Sequence, residues 1–402
     1  MAPRKETTDR IEALTAVFNQ TCPGVDNINF FHAPGRINLI GEHTDYNGGY
    51  VLPVAIDLDI IAAAAKRSDR TINLKSLNFP GDCAAQLDDL TYNAQRGWAN
   101  YPLSSAWALE SSDISSTGAD VVFQGEIPLG GGLSSSAAIE VLMMTILLEL
   151  SGSSLEKKQI PILCRKGEND FIGVKSGIMD QYIITFGKKN HALFLNCEAL
   201  EHRLIPFCNV QDTVIIVGNT KVKRELAKSA YNQRVRECAE GLNLLRKHLD
   251  NDNITSLSSI SREAFDSCRK VLPDLVSKRC GHVISENKRV LDAVDALENG
   301  DLAELGRLLV ASHTSLRDLY EVSCGELDCM VESFLQTDGV YGARMTGAGF
   351  GGSAIALVKT SARDTVIEQV RESYRKKTGI DGSFHICRIS DGAGVLKTED
   401  IT

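Results

Sequence analysis

The densest group of chemically capable side chains lies between Arg36 and Asp45, where Arg, Asn, Glu, His, Thr and Asp occur within ten residues. Carboxylates beside an imidazole suit the hydroxyl groups of a sugar, because hydroxyls both donate and accept hydrogen bonds. Arg36 has the charge to oppose a phosphoryl group or to pair with a carboxylate. A solvated hairpin loop that turns at Asn47 and Gly48 is the alternative. On these residues alone, a binding site and a polar loop are equally good interpretations.

A second candidate site is PLGGGLSSSA at residues 128–137, named here the glycine–serine loop, which follows a predicted strand and opens a predicted helix. Successive glycines leave backbone N–H groups unobstructed, and a helix start adds unpaired N–H groups and a positive dipole end. With three serine hydroxyls, these groups suit phosphate oxygens. The segment matches neither the Gly-Lys-Ser/Thr phosphate loop nor the G-x-G-x-x-G motif. An ordinary turn with a serine N-cap is the alternative, but the density of glycine and serine favours phosphate binding.

Two further segments have weaker signals. The segment RMTGAGFGGS at residues 344–353 has four glycines in six positions, which indicates close backbone approach to a ligand or to another loop. Asp180 in SGIMDQ stands at a predicted helix start, where an aspartate is most often only an N-cap. Eleven of the 33 glycines fall within residues 33–53, 128–140 and 344–354, so backbone freedom is concentrated in three places.

Hydrophobic periodicity predicts the elements that must position these segments. Helices are predicted at residues 8–20, 135–150, 224–249, 283–298, 301–312, 325–336 and 361–377. Strands are predicted at residues 51–65, 119–127, 191–196, 213–217, 354–359 and 383–389. The helix at 135–150 is apolar nearly all round and is therefore expected to be buried. Because strands and helices do not alternate regularly, an α+β protein of two lobes fits better than a doubly wound sheet.

Composition limits the class of protein. The 402 residues are 43% hydrophobic, 24% charged and 6% aromatic, which are globular values and leave room for two lobes. A net charge of −9 argues against nucleic-acid and membrane-surface partners, which need clustered basic residues. Eleven irregularly spaced cysteines without a C-x-x-C pair indicate free thiols in a reducing cytosol. MAPRKETTDR at the N-terminus has no apolar stretch, which predicts no signal peptide. We therefore expect a cytoplasmic protein.

Taken together, the three glycine-rich segments resemble the three signatures of the GHMP small-molecule kinase superfamily. GRINLIGEHTDYNGGYVLP at residues 35–53 is similar to the signature of the galactokinase family, PLGGGLSSSAA to the superfamily's phosphate loop, and RMTGAGFGGSAIALV to its C-terminal glycine motif. The resemblance continues through WANY at 98–101, GIMDQ at 177–181 and SLRDLYEVS at 315–323, and so covers nearly the whole chain.

The resemblance implies ATP-dependent phosphorylation of the C1 hydroxyl of α-D-galactose, with ATP and Mg²⁺ as cofactors. It also implies a two-lobed α+β GHMP kinase fold with the active site between the lobes. The N-terminal lobe, residues 1–208, is expected to have a mixed sheet and helices. The C-terminal lobe, residues 209–402, is expected to have an antiparallel sheet and helices, with the last strand able to return to the N-terminal lobe. We expect a monomer that binds these small molecules and neither nucleic acid nor membrane.

Individual roles follow from the resemblance, position by position. Asp180 matches the catalytic carboxylate and Arg36 its partner. The sugar-binding positions are Glu42, His43, Thr44, Asp45, Gly177, Asp180 and Tyr231. The nucleotide-binding positions are Ser76, Trp98, Gly130, Gly131, Gly132, Leu133, Ser134, Ser135 and Ser136, and the magnesium ligands are Ser136 and Glu168. Two roles stay open for Asp180: a base that accepts the C1 proton, or an anion that orients the hydroxyl while Arg36 stabilises the transition state.

Four residues depart from the family's usual pattern without falling on a catalytic position: Pro102, Leu319, Gly325 and Ala348. Two other functions remain as alternatives. One is a kinase for a related sugar such as N-acetylgalactosamine, which the motifs do not distinguish. The other is a non-catalytic galactose sensor; some such sensors lack a Ser-Ala pair in the phosphate loop, which is present here as Ser136-Ala137.

Overall fold

The helices and strands come from a computed structural model that describes residues 5–207, 211–222 and 227–396. In that part of the chain the helices are α1 (Lys5–Thr21), α2 (Asn100–Glu110), α3 (Ser135–Ser151), α4 (Gln159–Lys166), α5 (Met179–Phe186), α6 (Ala227–His248), α7 (Arg262–Cys268), α8 (Asp274–Glu298), α9 (Leu302–Ser315), α10 (Gly325–Leu335) and α11 (Arg363–Thr378). The strands are β1 (Asn29–Asn38), β2 (Tyr50–Val51), β3 (Pro53–Lys66), β4 (Thr71–Ser76), β5 (Cys83–Gln86), β6 (Ala119–Gly125), β7 (His191–Asn196), β8 (Glu201–Pro206), β9 (Thr213–Asn219), β10 (Val340–Thr346), β11 (Ser353–Lys359), β12 (Ser383–Cys387) and β13 (Gly394–Val395).

The strands form three sheets. The largest has the order β13-β1-β3-β6-β4-β5 and is mixed, because β4 and β6 run parallel while its other neighbours are antiparallel. A four-stranded antiparallel sheet has the order β10-β11-β9-β12, and a small antiparallel sheet has the order β2-β7-β8. The α+β class, with a mixed sheet first and an antiparallel sheet second, is therefore confirmed.

The strand β3 shows why the largest sheet is buried on both faces. Successive side chains of a strand point to opposite faces, and both faces of β3 are apolar. Ile61, Ala63 and Ala65 pack with α1 on one face, while Ala62 and Ala64 join the main core on the other. The predicted buried helix is α3, whose residues 141–144 are completely buried in that core.

The periodicity analysis does not predict β1, which carries Arg36 and Asn38, two of the six polar residues between Arg36 and Asp45. Pro34 and Gly35 are unfavourable in a strand interior, and the pairing of β1 with β3 has a register shift between these two residues. Arg36 and Asn38 consequently lie on a core strand instead of a loop. The helix predicted at 283–298 starts at Asp274, nine residues earlier, because buried polar residues interrupt its apolar stripe.

The predicted lobe boundary, between residues 208 and 209, lies outside the described residues. The six-stranded sheet is built from β1, β3, β4, β5 and β6 together with β13, which pairs with β1 near the end of the chain. We propose a division close to residue 208, because β9 and the strands that pair with it follow that point. Within the described ranges, none of the helices combines the length and apolar character needed to cross a bilayer.

Pro102, one of the departures from the usual family pattern, is compatible with the start of α2. It is the third residue of this helix and is buried. The first-turn N–H groups of a helix have no intrahelical partner, so a proline there removes no hydrogen bond.

Close packing of α9 on β10 makes Gly306 a test of the fold. A Cβ at residue 306 would lie 2.1 Å from the carbonyl oxygen of Tyr341, whereas a Cβ at Gly281 in α8 would lie 3.5 Å from Phe265. We expect Gly306→Ala to lower the free energy of unfolding by about 1–3 kcal/mol through overpacking. Gly281→Ala should be neutral or raise it by up to about 1 kcal/mol, because alanine is the better helix former. Urea unfolding of both variants measures this, and equal midpoints would contradict the packing argument.

Candidate active site

A cavity of about 440 Å³ gathers most of the residues predicted to act on a ligand. The glycine–serine loop lines one side, and the polar loop at residues 38–50 lines another. Helix α6 contributes Tyr231, and the third glycine-rich segment contributes Gly347 and Ala348. The predicted residues that line this cavity are Arg36, Glu42, His43, Asp45, Gly130, Gly132, Leu133, Ser134, Ser135, Ser136, Glu168, Gly177, Asp180 and Tyr231.

A second cavity of about 300 Å³ adjoins the first, because Tyr101, Ser135 and Ser136 line both. It holds two further nucleotide candidates, Ser76 and Trp98. Its apolar lining is both aromatic and aliphatic. The rings of Phe79 and Trp98 are stacked with centroids 6.1 Å apart, and Phe123 meets Trp98 edge-on at 6.2 Å. The two cavities together form a polar site with an apolar, flat-walled extension.

Arg36 and Asp180 form a two-pronged ion pair at the centre of the first cavity. Arg36 Nε and Nη2 each donate to Asp180, to Oδ1 and Oδ2 respectively, at 2.7 Å. The Ser134 hydroxyl also donates to Oδ2. Burial disfavours the charge of Arg36, but Asp180 more than offsets this, and the pKa of Arg36 is raised. Asp180 is in the first turn of α5, yet its carboxylate binds Arg36 and Ser134, so the N-cap interpretation is wrong for this side chain.

The glycine–serine loop has the backbone of an anion receptor. Gly130 and Gly132 have φ of 69° and 78°, and Ser134 is also left-handed with φ of 60°. Arg36 holds the loop by donating from Nη1 to the Gly132 carbonyl at 2.6 Å. Ser134 makes no side-chain cap to α3; its hydroxyl donates to Asp180, and its left-handed backbone differs from the extended conformation of a capping residue. The first N–H groups of α3 thus have no side-chain cap, and these are the groups that suit phosphate oxygens.

Two predicted contacts lie outside both cavities. The Thr44 hydroxyl faces the carbonyl oxygens of Gly41 and Tyr50 at 2.8 and 2.7 Å, so it shapes the polar loop from within. The Gly131 carbonyl accepts from Ser353 Oγ at 2.6 Å, and a Cβ on Gly131 would approach the Asn219 amide to 2.9 Å. Thr44 and Gly131 therefore hold together the two loops that line the first cavity, and their predicted ligand contacts stay predictions.

Protein groups already engage the carboxylate of Glu42. Its Oε1 accepts from the Thr346 hydroxyl at 3.0 Å and from the Gly347 N–H at 2.7 Å. Its Oε2 accepts from Asn38 Nδ2 at 3.1 Å, and the Arg344 guanidinium lies 3.4 Å from Oε1. Glu42 is thus a fixed anion at the edge of the cavity, and it draws the third glycine-rich segment against the polar loop.

Asp45 and His43 have strongly perturbed acidity. Burial and the neighbouring Asp180 raise the pKa of Asp45 to about 7. Burial, with a smaller effect of His282, lowers the pKa of His43 to about 3, so its imidazole is neutral at physiological pH. Gly177 leaves space for the Asp45 carboxylate, since a Cβ at 177 would lie 1.6 Å from Oδ2. Any larger residue at position 177 would displace this carboxylate.

Glu168 lines the cavity together with Ser136. Its Oε2 accepts from the Ser176 hydroxyl and from Gln181 Nε2, and burial raises its pKa. A hydroxyl and one carboxylate oxygen are the partial ligand set that Mg²⁺ accepts when phosphates and waters complete its octahedron. The described residues contain no cluster of three or more acidic, histidine or cysteine side chains that would hold an ion alone. The residues present therefore fit Mg²⁺ only as part of a metal–phosphate complex.

Sequence reasoning assigned no role to several residues of this site. Tyr46 and Tyr101 line the first cavity, and Gln181 links Glu168 with the buried Glu140 through its side-chain amide. Tyr46 and Gln181 lie within two of the family motifs described above. Their position in these motifs is the feature of the sequence that could have identified them as site residues. Tyr101 stands in WANY, where the prediction selected only the tryptophan.

Comparison with known proteins identifies three signatures in the chain. The galactokinase galactose-binding signature matches residues 16–66. The GHMP kinases N terminal domain matches residues 100–188, and the GHMP kinases C terminal domain matches residues 293–376. The first covers β1 and the polar loop, and the second covers the glycine–serine loop and Asp180.

Whole-length relatives give the same result. The chain is 41% identical to the galactokinase of Fusobacterium nucleatum over 96% of this chain and 100% of that protein. It is 45% identical to the galactokinase of Enterococcus faecalis over 91% of this chain and 95% of that protein. The crystal structure of Lactococcus lactis galactokinase complexed with galactose superposes with a TM-score of 0.92 and 38% identity, over 96% of this chain and 100% of that one. Methanococcus jannaschii mevalonate kinase, at 20% identity, shares the fold with a TM-score of 0.65 over 92% of this chain and 100% of that one.

Proposed function

This chain belongs to the galactokinase family of GHMP kinases, and we propose that it transfers the γ-phosphoryl group of ATP to the C1 hydroxyl of α-D-galactose. The products are galactose 1-phosphate and ADP. The observation that carries this proposal is the Arg36–Asp180 pair, which stands between the polar loop and the glycine–serine loop in one cavity. Phosphoryl transfer depends on positioning and charge neutralisation, and this arrangement supplies both.

In the proposed mechanism, the polar loop holds the sugar. Glu42, His43, Asp45 and Tyr231 offer hydroxyl, imidazole and carboxylate groups that match sugar hydroxyls. The glycine–serine loop holds the phosphates through the backbone N–H groups that start α3. Arg36 is placed to oppose charge on the transferring group. The donor phosphate and the acceptor hydroxyl thus meet at the Arg36–Asp180 pair.

Asp180 has room for one more hydrogen bond. A carboxylate has about four lone-pair sites, and Oδ2 accepts from Arg36 and Ser134 while Oδ1 accepts from Arg36 alone. The free site on Oδ1 suits the C1 hydroxyl. Since Arg36 is bound to the same carboxylate, an anion that orients the hydroxyl and a base that accepts its proton both fit this geometry.

The second cavity is the proposed site of the nucleotide base. Its aromatic walls, formed by Phe79, Trp98 and Phe123, offer flat apolar faces on which a base stacks. Its connection to the glycine–serine loop through Ser135 and Ser136 allows one ATP molecule to occupy both cavities. Ser76 is a polar side chain in the wall of this cavity.

Ser136 and Glu168 are the residues that would hold Mg²⁺ in the proposed complex. When bound there, this ion neutralises phosphate charge next to the glycine–serine loop. Ser176 and Gln181 orient the Glu168 carboxylate through Oε2. The other oxygen of Glu168 is left for a ligand outside the protein.

We further propose a cytoplasmic monomer. The proposed reaction needs only residues of this chain, namely those that line the two cavities. The cysteines in the described part of the chain are free, the state expected in a reducing compartment. Sedimentation velocity of the purified protein measures the oligomeric state.

Substrate choice is the direct test of the proposed function. We expect ATP-dependent ADP release with galactose and much weaker release with N-acetylgalactosamine, glucose or galacturonate. A coupled assay with this sugar panel distinguishes the alternatives. Preference for N-acetylgalactosamine would indicate a kinase for the larger sugar. Galactose binding without ADP release would indicate a sensor.

Asp180→Asn should remove turnover and leave galactose binding largely intact. A positioned acid–base group contributes about 10²–10⁴-fold to rate, so kcat should fall by at least that factor. The sugar keeps its contacts to the polar loop, and calorimetric titration should show this. Asp88→Asn, at a surface carboxylate that is 68% exposed, is the matched control and should behave as wild type. Near-normal turnover in Asp180→Asn would contradict the catalytic assignment.

Galactose affinity should rise with pH across neutrality. The pKa of Asp45 is raised to about 7 by burial and by Asp180, so its carboxyl is protonated below that pH and ionised above it. The ionised form accepts sugar hydroxyls at both oxygens, and binding should therefore release a proton near pH 7. Calorimetry in two buffers of different ionisation enthalpy measures this proton. Asp45→Asn should flatten the profile, and an affinity that falls as the pH rises would contradict this role.

A further inference from the structure

A chain of hydrogen bonds connects His43 of the polar loop to the C-terminal lobe. His43 Nδ1 lies 2.8 Å from the Tyr46 hydroxyl, and that hydroxyl lies 2.8 Å from the Tyr320 hydroxyl. The Tyr320 hydroxyl in turn lies 3.1 Å from Cys238 Sγ. His43, Tyr320 and Cys238 are 5%, 0% and 1% exposed. Tyr46, in the middle of this chain of hydrogen bonds, is only partly buried and lines the first cavity. The Tyr320 end is therefore the part best shielded from water, where hydrogen bonds are strengthened.

Tyr320 ends a π-helical turn, Leu316–Tyr320, that follows α9 inside the motif SLRDLYEVS. Such turns are rare and often occur at functional sites. The backbone here is firmly held, because Arg234 donates to the carbonyl oxygens of Tyr320 and Glu321 at 2.7 and 2.9 Å. The fold thus places the Tyr320 hydroxyl at a fixed point behind the polar loop.

The ring of Tyr320 and its hydroxyl have separable contributions. The ring packs against the imidazoles of His43 and His282, with centroids 4.8 and 4.5 Å away. The hydroxyl contacts Tyr46 and Cys238. Replacing the tyrosine by phenylalanine removes only the second set of contacts, so the polar link can be tested with the packing kept.

Burial favours the neutral form of each titratable group in this chain of hydrogen bonds. Burial raises the pKa of Tyr46 and of Tyr320 well above the ordinary value, so both keep their hydrogens. Burial lowers the pKa of His43 to about 3. The neutral imidazole therefore carries one proton, either on Nδ1 or on Nε2.

We propose that Tyr320, acting through Tyr46, is a positioning residue that holds His43 with its proton on Nε2. In this arrangement the Tyr320 hydroxyl donates to the Tyr46 oxygen, and the Tyr46 hydroxyl donates to His43 Nδ1. The Tyr320 oxygen then accepts only from the Cys238 thiol, which is a weak donor. In the opposite arrangement His43 Nδ1–H donates to Tyr46 and Tyr46 donates to Tyr320. The strong Tyr320 donor would then bond to the Cys238 sulfur, which is a weak acceptor. The order of donors therefore fixes the tautomer.

The second ring nitrogen of His43, Nε2, is the one available to a ligand. Nε2 of His43 is buried and makes no hydrogen bond to the described part of the protein, and His43 lines the first cavity. With the proton on Nε2, His43 offers a donor to a sugar oxygen. This link to galactose rests on the proposed function, whereas the tautomer itself is a property of the ligand-free protein.

The first experiment is ¹⁵N NMR of histidine-labelled, ligand-free protein, with the His43 signal assigned by its loss in His43→Gln. In wild type we expect the Nε2–H tautomer. In Tyr320→Phe the Tyr46 oxygen is free to accept from Nδ1–H, so a detectable fraction of the other tautomer should be present. An Nδ1–H tautomer in wild type, or an unchanged tautomer in Tyr320→Phe, would overturn the proposal.

The second experiment is steady-state kinetics of Tyr320→Phe. The galactose KM should rise about 3–10-fold, the loss expected for one neutral hydrogen bond, while kcat and the ATP KM stay near wild type. Tyr374→Phe is the matched control: it loses a buried hydroxyl that donates to the Thr220 carbonyl at 2.9 Å, away from both cavities. A wild-type galactose KM in Tyr320→Phe, or an equal rise in Tyr374→Phe, would overturn the proposal. If wild type does not phosphorylate galactose, the proposed function fails and the NMR result alone decides the tautomer.

Discussion

The buried guanidinium of Arg344 is the contact on which the site's geometry depends. It is 0% exposed and donates from β10 to the carbonyl oxygens of Asn38 and Leu39 at 3.0 and 2.9 Å. Its charge also faces Glu42 at 3.4 Å. Removing one partner of a buried pair leaves an uncompensated charge, which is costly. The polar loop is therefore held against the C-terminal sheet, and Glu42 can then engage the N–H of Gly347.

Helix α8 completes this support from the other side of the polar loop. A buried loop must have its backbone polar groups satisfied, and α8 supplies the partners. Glu286 accepts from the Gly41 N–H and Asn287 from the Tyr50 N–H, both at 3.0 Å, and His282 Nε2 lies 3.1 Å from the Glu42 carbonyl. The polar loop, which belongs to the N-terminal part of the sequence, is thus shaped largely by the C-terminal part.

The cavity also shows how an acidic protein can bind a polyanion. The net charge is −9, but the glycine–serine loop presents backbone N–H groups and the end of a helix dipole, which need no basic side chain. Arg36 forms an ion pair with Asp180, whereas the described residues include no ion pair to Asp45, and burial raises the pKa of Asp45 to about 7. Two carboxylates in one cavity therefore have different electrostatic character, as their proposed roles require.

The family, the α+β class and the buried helix α3 follow from the sequence, because motifs and hydrophobic periodicity are local properties. Most of the candidate site was predictable for the same reason. The tertiary structure alone decided that Thr44 and Gly131 lie outside the cavities, that β1 runs through the polar cluster, and that Tyr320 stands behind His43. These outcomes depend on contacts between residues far apart in the chain, such as Tyr46 with Tyr320. The spacing of residues within a motif reports which side chains are near in sequence, and only packing determines which of them face the ligand.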